Sequence, residues 1–462
     1  MPDEKSGKKL GNAVLDHYRC PDGVLDFEVS QDLSGPAGFF RFSSKATCYG
    51  RSSTGVATSP EDRLTDALSG VSASNSGVQL PFDPDEVIEN LRLERYSKTG
   101  WSAYDQALKN IYYSVRPLTT RSFRRYIQKL RASDWQHATF PHWPVDTSVE
   151  NICEQLLTLT LQAKNVERIP FVWFWPNRAS GCVLMTHDVE AEEGRDHCLD
   201  VLDLDASCGI NASVQIVPED RYEVSAEFLG KIRSRGHEVC VQDLNHDGRL
   251  FDDREEFRRR AKRINRYAKE YGAQGFRAAV LYRRPDWFED LEFSFDMSIP
   301  NVARIDPQRG GCCTLMPYFI GDLLEIPVTT VQDYMLFHLL DERSIDLWKT
   351  QVELILAKHG LASFIVHPDY ILEQETQEVY RNLLTWLQHE RATRDLWFAL
   401  PGEINTWWRA RQTMNVVKRG DFWRVEGDSS ERATLAFAQL ENGKLVYRLA
   451  DANYAAVSAT LA

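Results

Sequence analysis

The sequence predicts an α/β fold, with a distorted parallel (β/α) barrel of about seven units. An N-terminal α+β region precedes the barrel and a small antiparallel β module follows it. Short apolar runs of four to seven residues recur from about residue 180, and charged helical segments separate several of them. Short continuous apolar strands that alternate with helices are typical of a parallel sheet covered by helices. Seven such units within about 230 residues favour a barrel over an open sheet.

The N-terminal region has a different composition. Residues 1–75 are rich in Gly and Ser with short apolar runs, which indicates short strands and turns. The Pro-Asp-Glu sequence at 84–86 is typical of a helix start. Residues 101–133 are predicted to be mostly helical. Within them Arg121–Arg131 is basic and amphipathic, which we interpret as a solvated helix packing its apolar face, the alternative being contact with a membrane surface or an acidic partner.

The barrel is expected to be built from seven apolar strands and the helices between them. The helices are predicted at 224–235, 253–272, 343–359 and 374–393. The strands are predicted in the runs CVLMTHD, ASVQIVP, HEVCVQ, GFRAAVLY, LEIPVTT, SFIVHP and LWFALP. After the barrel, alternating residues with Gly-Asp and Asn-Gly turns predict the β module. The predicted domains are 1–150, of unknown role, 151–415, the barrel, and 416–462, the β module.

The bulk composition excludes several classes of protein. The 462 residues carry a net charge of −13, which disfavours a nucleic-acid binder because such proteins need a basic face. The sequence contains no run of about 18 apolar residues, so it predicts no membrane span. Its N-terminus has no apolar signal-peptide core. The nine cysteines form no CxxC pair, which favours scattered thiols over a disulfide framework. We therefore expect a cytoplasmic protein, with its oligomeric state left open.

Polar side chains stand where the predicted strands end. Asp188 and Glu190 follow the first run, and strand alternation would direct both carboxylates to one side. Such a pair can bind a divalent metal with one member and move protons with the other. In the third run His246 follows Gln242 by four residues, which is one helical turn, so both side chains could face the same point.

Later strand ends add further polar residues. The fourth run contains Arg277, Asp333 comes after the fifth, and the sixth ends in His367 and a proline. In a β/α barrel the chemistry lies at the carboxyl ends of the strands. The succession of two carboxylates, His, Arg, Asp and His at these ends therefore predicts one site.

This order of residues resembles the polysaccharide deacetylase family, also called the NodB-homology or carbohydrate esterase type, over about residues 180–412. The resemblance implies a distorted β/α barrel that removes acetyl groups from N-acetylated sugars with one divalent metal, most often zinc. In the first motif, read here as THDVE, Asp188 would be the base that activates water and Glu190 the metal carboxylate. In the second motif, H-S/T-x-x-H, His246 matches a metal-ligating histidine, whereas Gln242 stands in place of the other.

The remaining motifs supply the other catalytic residues. Arg277 matches the arginine that orients the base, and Asp333-Tyr334 resembles the acidic-aromatic step of the fourth motif. His367 matches the histidine that protonates the departing amine. The chemistry fits these residue types, since a carboxylate can take a proton from water and a histidine with a pKa near 7 can return one to nitrogen.

Gln242 determines what is expected of the metal, because a neutral amide oxygen is a weak ligand that zinc sites seldom use. Three outcomes stay open: weak metal binding with Asp243 or water filling the gap, catalysis without metal, or a sugar-binding cleft without turnover. We predict a hydrolase of C–N bonds, a deacetylase of an N-acetylated sugar or sugar conjugate. The alternative is a non-catalytic glycan-binding or scaffold protein on a decayed deacetylase fold.

Overall fold

The structure is a computed structural model, and it describes residues 13–29, 33–74, 77–97, 135–451 and 454–456. The predicted helical stretch 101–133, with its segment Arg121–Arg131, lies outside the described residues. The chain divides into two compact units. Unit 1 comprises Met1–Leu91, Ser148–Asn177 and Arg409–Ala462, and unit 2 comprises Arg92–Thr147 and Arg178–Trp408.

The boundaries of these units differ from those of the three predicted domains. Unit 1 takes residues from each of the predicted ranges 1–150, 151–415 and 416–462, whereas unit 2 holds most of the predicted barrel. The functional roles of the two flanking ranges stay predictions.

The described helices and strands are numbered in chain order. The helices are α1 Ala13–Tyr18, α2 Pro84–Arg92, α3 Ser148–Ala163, α4 Glu192–Ser207, α5 Ala226–Ser234, α6 Arg254–Tyr271, α7 Asp346–Leu356, α8 Gln374–Thr393 and α9 Pro401–Thr413. The strands are β1 Phe27–Val29, β2 Gly38–Arg41, β3 Thr47–Gly50, β4 Ser72–Ser74, β5 Gly77–Leu80, β6 Arg168–Val172, β7 Gly181–Val189, β8 Ala212–Ile216, β9 Glu238–Gln242, β10 Gly275–Arg277, β11 Phe295–Asp296, β12 Tyr318–Ile320, β13 Leu323–Glu325, β14 Leu361–Val366, β15 Leu396–Phe398, β16 Asn415–Arg419, β17 Phe422–Glu426, β18 Leu435–Glu441, β19 Lys444–Leu449 and β20 Tyr454–Ala456.

Unit 1 contains small sheets rather than one large one. Strands β1, β5 and β4 form one sheet, β2 pairs with β3, β16, β17 and β20 form another, and β19, β18 and β6 form the last. The strands predicted after the barrel are confirmed, and their pairing is antiparallel. Strand β6 was not predicted, and it joins this C-terminal module by pairing with β18. The Pro-Asp-Glu start of α2 is confirmed, with Asp83 accepting a 2.9 Å hydrogen bond from the Asp85 N–H.

Unit 2 is built on a nine-stranded sheet in the order β12-β13-β11-β10-β9-β8-β7-β14, with β15 also pairing with β7. Within the described residues every pairing in this sheet is parallel except that of β12 with β13. Beyond β13, Thr329 and Thr330 donate hydrogen bonds to backbone carbonyls of β14 at 2.6 and 2.8 Å. The curled sheet with covering helices confirms the predicted distorted barrel.

The buried character of the strands explains the continuous apolar runs. All nine residues of β7 and all six of β14 are buried, so both faces of these strands need apolar or hydrogen-bonded side chains. All seven predicted strand positions and all four predicted helices of the barrel are confirmed. The fourth strand is shorter than its apolar run, because after Arg277 the chain turns through Val280 and Leu281, whose φ angles are 58° and 51°. Among the described helices none has the length and apolar character needed to cross a membrane.

Candidate active site

The predicted site residues lie at the carboxyl ends of neighbouring strands of unit 2. Asp188 is the penultimate residue of β7, Gln242 ends β9, and Arg277 ends β10 beside Gln242 in the strand register. His367 directly follows β14, which is the partner of β7 on its other side. Parallel strands bring their ends to one edge of a sheet, so residues far apart in sequence meet there.

Asp188 is held by two nitrogen donors. The guanidinium of Arg277 donates from Nη1 to Oδ1 of Asp188 at 2.5 Å, and the Gln242 amide donates from Nε2 to Oδ2 at 3.1 Å. Arg277 is itself fixed by hydrogen bonds to Thr186 Oγ1 at 2.7 Å and to the Met297 carbonyl at 3.0 Å. Asp188 and Arg277 are 3% and 0% exposed, so the charged pair is shielded from water and has a fixed geometry.

Glu190 is the point where the other side chains converge. Three nitrogen atoms surround its Oε1: His246 Nε2 at 2.7 Å, Gln242 Nε2 at 3.1 Å and His367 Nε2 at 3.4 Å. Burial alone would raise the pKa of Glu190, but the adjoining His246 and His367 rings outweigh burial and hold it well below its ordinary range. The Glu190 side chain is 21% exposed, whereas those of the two histidines are 4% exposed, so solvent reaches the cluster at Glu190.

His367 is oriented by Asp333. Oδ1 of Asp333 lies 2.7 Å from Nδ1 of the ring, and Oδ2 accepts a 2.7 Å hydrogen bond from the His367 backbone N–H. Nδ1 therefore carries a hydrogen, and Nε2 faces Glu190. Burial lowers the pKa of His367, but Asp333 and then Glu190 outweigh it, so that the pKa lies well above its ordinary value. The ring of Tyr370 packs against this histidine, with centroids 4.6 Å apart.

One group of carboxylates and imidazole among the described residues could hold a metal ion. An oxygen of Asp188, an oxygen of Glu190 and a ring nitrogen of His367 lie within 4.8 Å of one another. The ligand set predicted from the sequence is different, since it takes Gln242 and His246 with Glu190. The structure brings these three side chains together as well, within the roughly 5 Å that a shared ion requires.

The predicted ligand set fits a metal only weakly. The buried Oε1 of Gln242 has no hydrogen-bond partner, while its Nε2 donates to both carboxylates. A rotated amide would present its oxygen to an ion between them at the expense of those two hydrogen bonds. Of the Asp243 carboxylate, Oδ1 accepts a 2.6 Å hydrogen bond from the Leu244 N–H and the buried Oδ2 has no hydrogen-bond partner, so the expectation that Asp243 fills the gap stays a prediction.

Arg221 contacts the site although sequence reasoning did not select it. Its Nη2 lies 3.3 Å from Nδ1 of His246 and also donates to the His246 carbonyl at 2.6 Å. A guanidinium only donates, so Nδ1 accepts and the hydrogen of a neutral ring lies on Nε2, toward Glu190. Metal-ligating histidines instead donate from their second nitrogen to an acceptor. Arg221 therefore weakens His246 as a ligand, and a lone arginine in a turn offered no signal for this role.

One geometric argument from the sequence was wrong. Gln242 and His246 were placed together as residues one helical turn apart, but Gln242 ends a strand and residues 243–248 form a loop. Asp243 and His246 both adopt left-handed backbone conformations, with φ of 50° and 54°, and these turns bring His246 back toward the strand end. The two side chains still meet at Glu190, for a different physical reason. The carboxylates of Asp188 and Glu190 were predicted to face the same side, and they do, since the Gln242 amide nitrogen contacts both.

Solved structures resemble this chain in fold over about half of its length. A protein from Mycobacterium smegmatis described as a polysaccharide deacetylase is 18% identical, with a TM-score of 0.44, over 54% of this chain and 97% of its own. Puue allantoinase is 14% identical, with a TM-score of 0.40, over 51% of this chain and 92% of its own. A mutant of BA3943, a CE4 family pseudoenzyme with restored enzymatic activity, is 16% identical, with a TM-score of 0.32, over 50% of this chain and 69% of its own.

No protein-family model matches the chain, and no curated protein sequence does. The fold described here rests on the strand pairing, and the roles of individual residues rest on the side-chain geometry of the site. Solved structures of polysaccharide deacetylases are among those that the chain resembles over about half of its length.

Proposed function

We propose that unit 2 hydrolyses an amide C–N bond, with Asp188 as the base and His367 as the acid. The observation that carries the proposal is the approach of these two groups, each held by its own partner. Ligand atoms of Asp188 and His367 lie within 4.8 Å of each other and of Glu190, at the exposed side of the cluster. At that separation a carboxylate can take a proton from a water molecule and an imidazole can give one to a departing nitrogen in the same cleft.

In the first step Asp188 takes a proton from water as the water oxygen attacks the amide carbonyl carbon. Arg277 holds one carboxylate oxygen, and its positive charge balances the buried negative charge. Gln242 holds the second oxygen. With both oxygens oriented, the proton acceptor needs no rearrangement before the step.

In the second step the C–N bond breaks and His367 gives a proton to the departing nitrogen. Asp333 fixes the ring at Nδ1, so the proton on Nε2 faces the cleft. Because the pKa of His367 lies well above its ordinary value, the ring holds its proton at neutral pH before the substrate arrives. The products are a carboxylic acid and an amine.

Glu190 and His246, with Gln242 as a weak third ligand, would hold one divalent metal, for which we propose zinc. A bound metal polarises the carbonyl and lowers the pKa of coordinated water. Two strong protein ligands are fewer than the three of a usual catalytic zinc site, so we propose low occupancy. The proposed substrate is an N-acetylated sugar or sugar conjugate. Its acetyl group and its sugar are inferred from the motif resemblance.

The test is release of acetate from a panel of N-acetyl amino sugars and their conjugates, with added zinc or cobalt and with chelator. We expect acetate and free amine in equal amounts from at least one substrate. Asp188→Asn and His367→Asn should each abolish most of the release. The matched control is Asp200→Asn, whose side chain is 83% exposed on α4. Activity that survives in Asp188→Asn would show that the base is assigned wrongly.

A second function, glycan binding without turnover, is favoured by one observation. The Gln242 amide donates to both carboxylates, so these charges are already partly compensated without an ion. This function predicts that the same substrates bind in calorimetry, while no acetate is released under any metal condition.

A further inference from the structure

A buried polar network lies on the face of β7 opposite Asp188. It consists of His187, Asp205 of α4 and Tyr380 of α8, and all three residues are 0% exposed. His187 Nε2 lies 2.6 Å from Oδ2 of Asp205, and the Tyr380 hydroxyl donates to Oδ1 of the same carboxylate. The proposed hydrolysis uses none of these residues, although His187 is the sequence neighbour of the proposed base.

The second ring nitrogen of His187 reaches the neighbouring strand. Nδ1 lies 3.1 Å from the carbonyl oxygen of Val366, which is paired with His187 in the register of β7 and β14. Val366 immediately precedes His367. The carbonyl of Val366 and the N–H of His367 belong to one peptide group, and that N–H donates to Asp333 at 2.7 Å. This peptide group is therefore held from both sides, by His187 at its oxygen and by Asp333 at its nitrogen.

The stability of the fold alone does not account for the network. Both ring nitrogens of His187 face oxygen acceptors, so the ring donates from both and forms a buried ion pair with Asp205. Replacing a buried ion pair with apolar residues of similar volume is often neutral or stabilising. An apolar residue at 187 would pack in this core, but it would remove the His187 contact to the Val366 carbonyl.

We propose that His187, held by Asp205 and Tyr380, is a positioning residue for His367. By fixing the peptide group that leads into His367, it sets the direction in which the Nε2–H enters the cleft. The inference rests on the proposed role of His367 as the proton donor, and it goes beyond that role by naming the residues that aim the donor. Mutating the outer hydrogen-bond partners of metal-ligating side chains typically costs about 10- to 100-fold in affinity or activity, and we expect a loss of kcat of the same order here.

The test compares two variants in the full-length protein. In the apolar variant, His187→Phe, Asp205→Leu and Tyr380→Phe are combined, so that none of the three network side chains is left charged or unpaired. The matched control is Asn265→Leu. Asn265 is a buried polar residue that also makes two hydrogen bonds to backbone, at Asp290 and Glu292.

The readout is the ring Nδ1–H resonance of His367 in protein labelled with nitrogen-15 at histidine, assigned by its loss in His367→Asn. We expect this resonance to be retained in the control and to be shifted or broadened in the apolar variant, with kcat lowered about 10- to 100-fold and KM unchanged. A folded apolar variant with the wild-type resonance would overturn the proposal. If no substrate is hydrolysed but the resonance still depends on His187, the positioning role stands and the proposed function fails.

Discussion

Replacing Gln242 with histidine should convert the weak metal site into a strong one. In the wild-type protein, zinc binding must displace the amide N–H from two carboxylates, to which it donates at 3.1 Å each. Hydrogen bonds to charged groups are worth about 1.5–3 kcal/mol each, so this competition costs roughly 3–6 kcal/mol. At about 1.4 kcal/mol per factor of ten, Gln242→His should raise zinc affinity by roughly 10²- to 10⁴-fold. The added ring also supplies a third strong ligand beside Glu190 and His246.

Isothermal titration calorimetry with zinc measures this change directly. The matched control is Gln374→His, which adds a histidine at an exposed position on α8 and should leave the high-affinity site unchanged. Acetate release by Gln242→His with added zinc gives a second reading of the same variant. A gain in affinity below tenfold, or wild-type zinc binding as tight as that of the variant, would refute the reasoning from the Gln242 hydrogen bonds.

Further predictions concern the surrounding charges. Arg221→Met should raise zinc affinity in the same titration, because it removes the donor facing His246 Nδ1; an unchanged affinity would show that this contact does not fix the ring. Arg277→Met should lower the free energy of unfolding by about 3–5 kcal/mol, since it leaves a buried carboxylate unpaired. The exposed ion-pair control Arg235→Met should lower it far less in the same denaturant titrations, and equal losses would contradict the buried-pair argument. Burial raises the pKa of Glu238 to about 7, so its stabilising effect on the fold is present at low pH and is lost as pH rises through 7. Between pH 5 and 8 the wild-type protein should therefore lose more stability than Glu238→Gln, and parallel pH profiles would count against this shift.

The sequence predicted the barrel well because its strands are buried on both faces. A strand such as β14, with every residue buried, must be apolar throughout, and this makes a run that is visible without a structure. Short strands were not predicted, because they contain too few residues to form a recognisable apolar run. Strand β11 has two residues, Phe295 and Asp296, too few to show any pattern, and it is a strand only because β10 and β13 lie beside it.

The part of the candidate site that lies at strand ends could be predicted from the sequence. Asp188, Arg277 and His367 lie within the predicted apolar runs, and parallel strands bring their carboxyl ends to one edge. The orientation of the Gln242 amide and the approach of Arg221 to His246 depend on a loop with left-handed residues. Loop geometry of this kind is set by tertiary contacts, and the spacing of four residues suggested a helical turn that does not exist.

The central claim is that Asp188 and His367 act as base and acid on an amide bond. The most direct measurement is the rate of acetate and amine release from the best N-acetyl amino sugar substrate by the wild type, Asp188→Asn and the exposed control Asp200→Asn. General acid–base groups contribute about 10²- to 10⁴-fold, so Asp188→Asn should be slower by at least about 100-fold while the control matches the wild type. Equal rates for Asp188→Asn and the wild type, or binding of the sugars with no release by any of the three proteins, would contradict it.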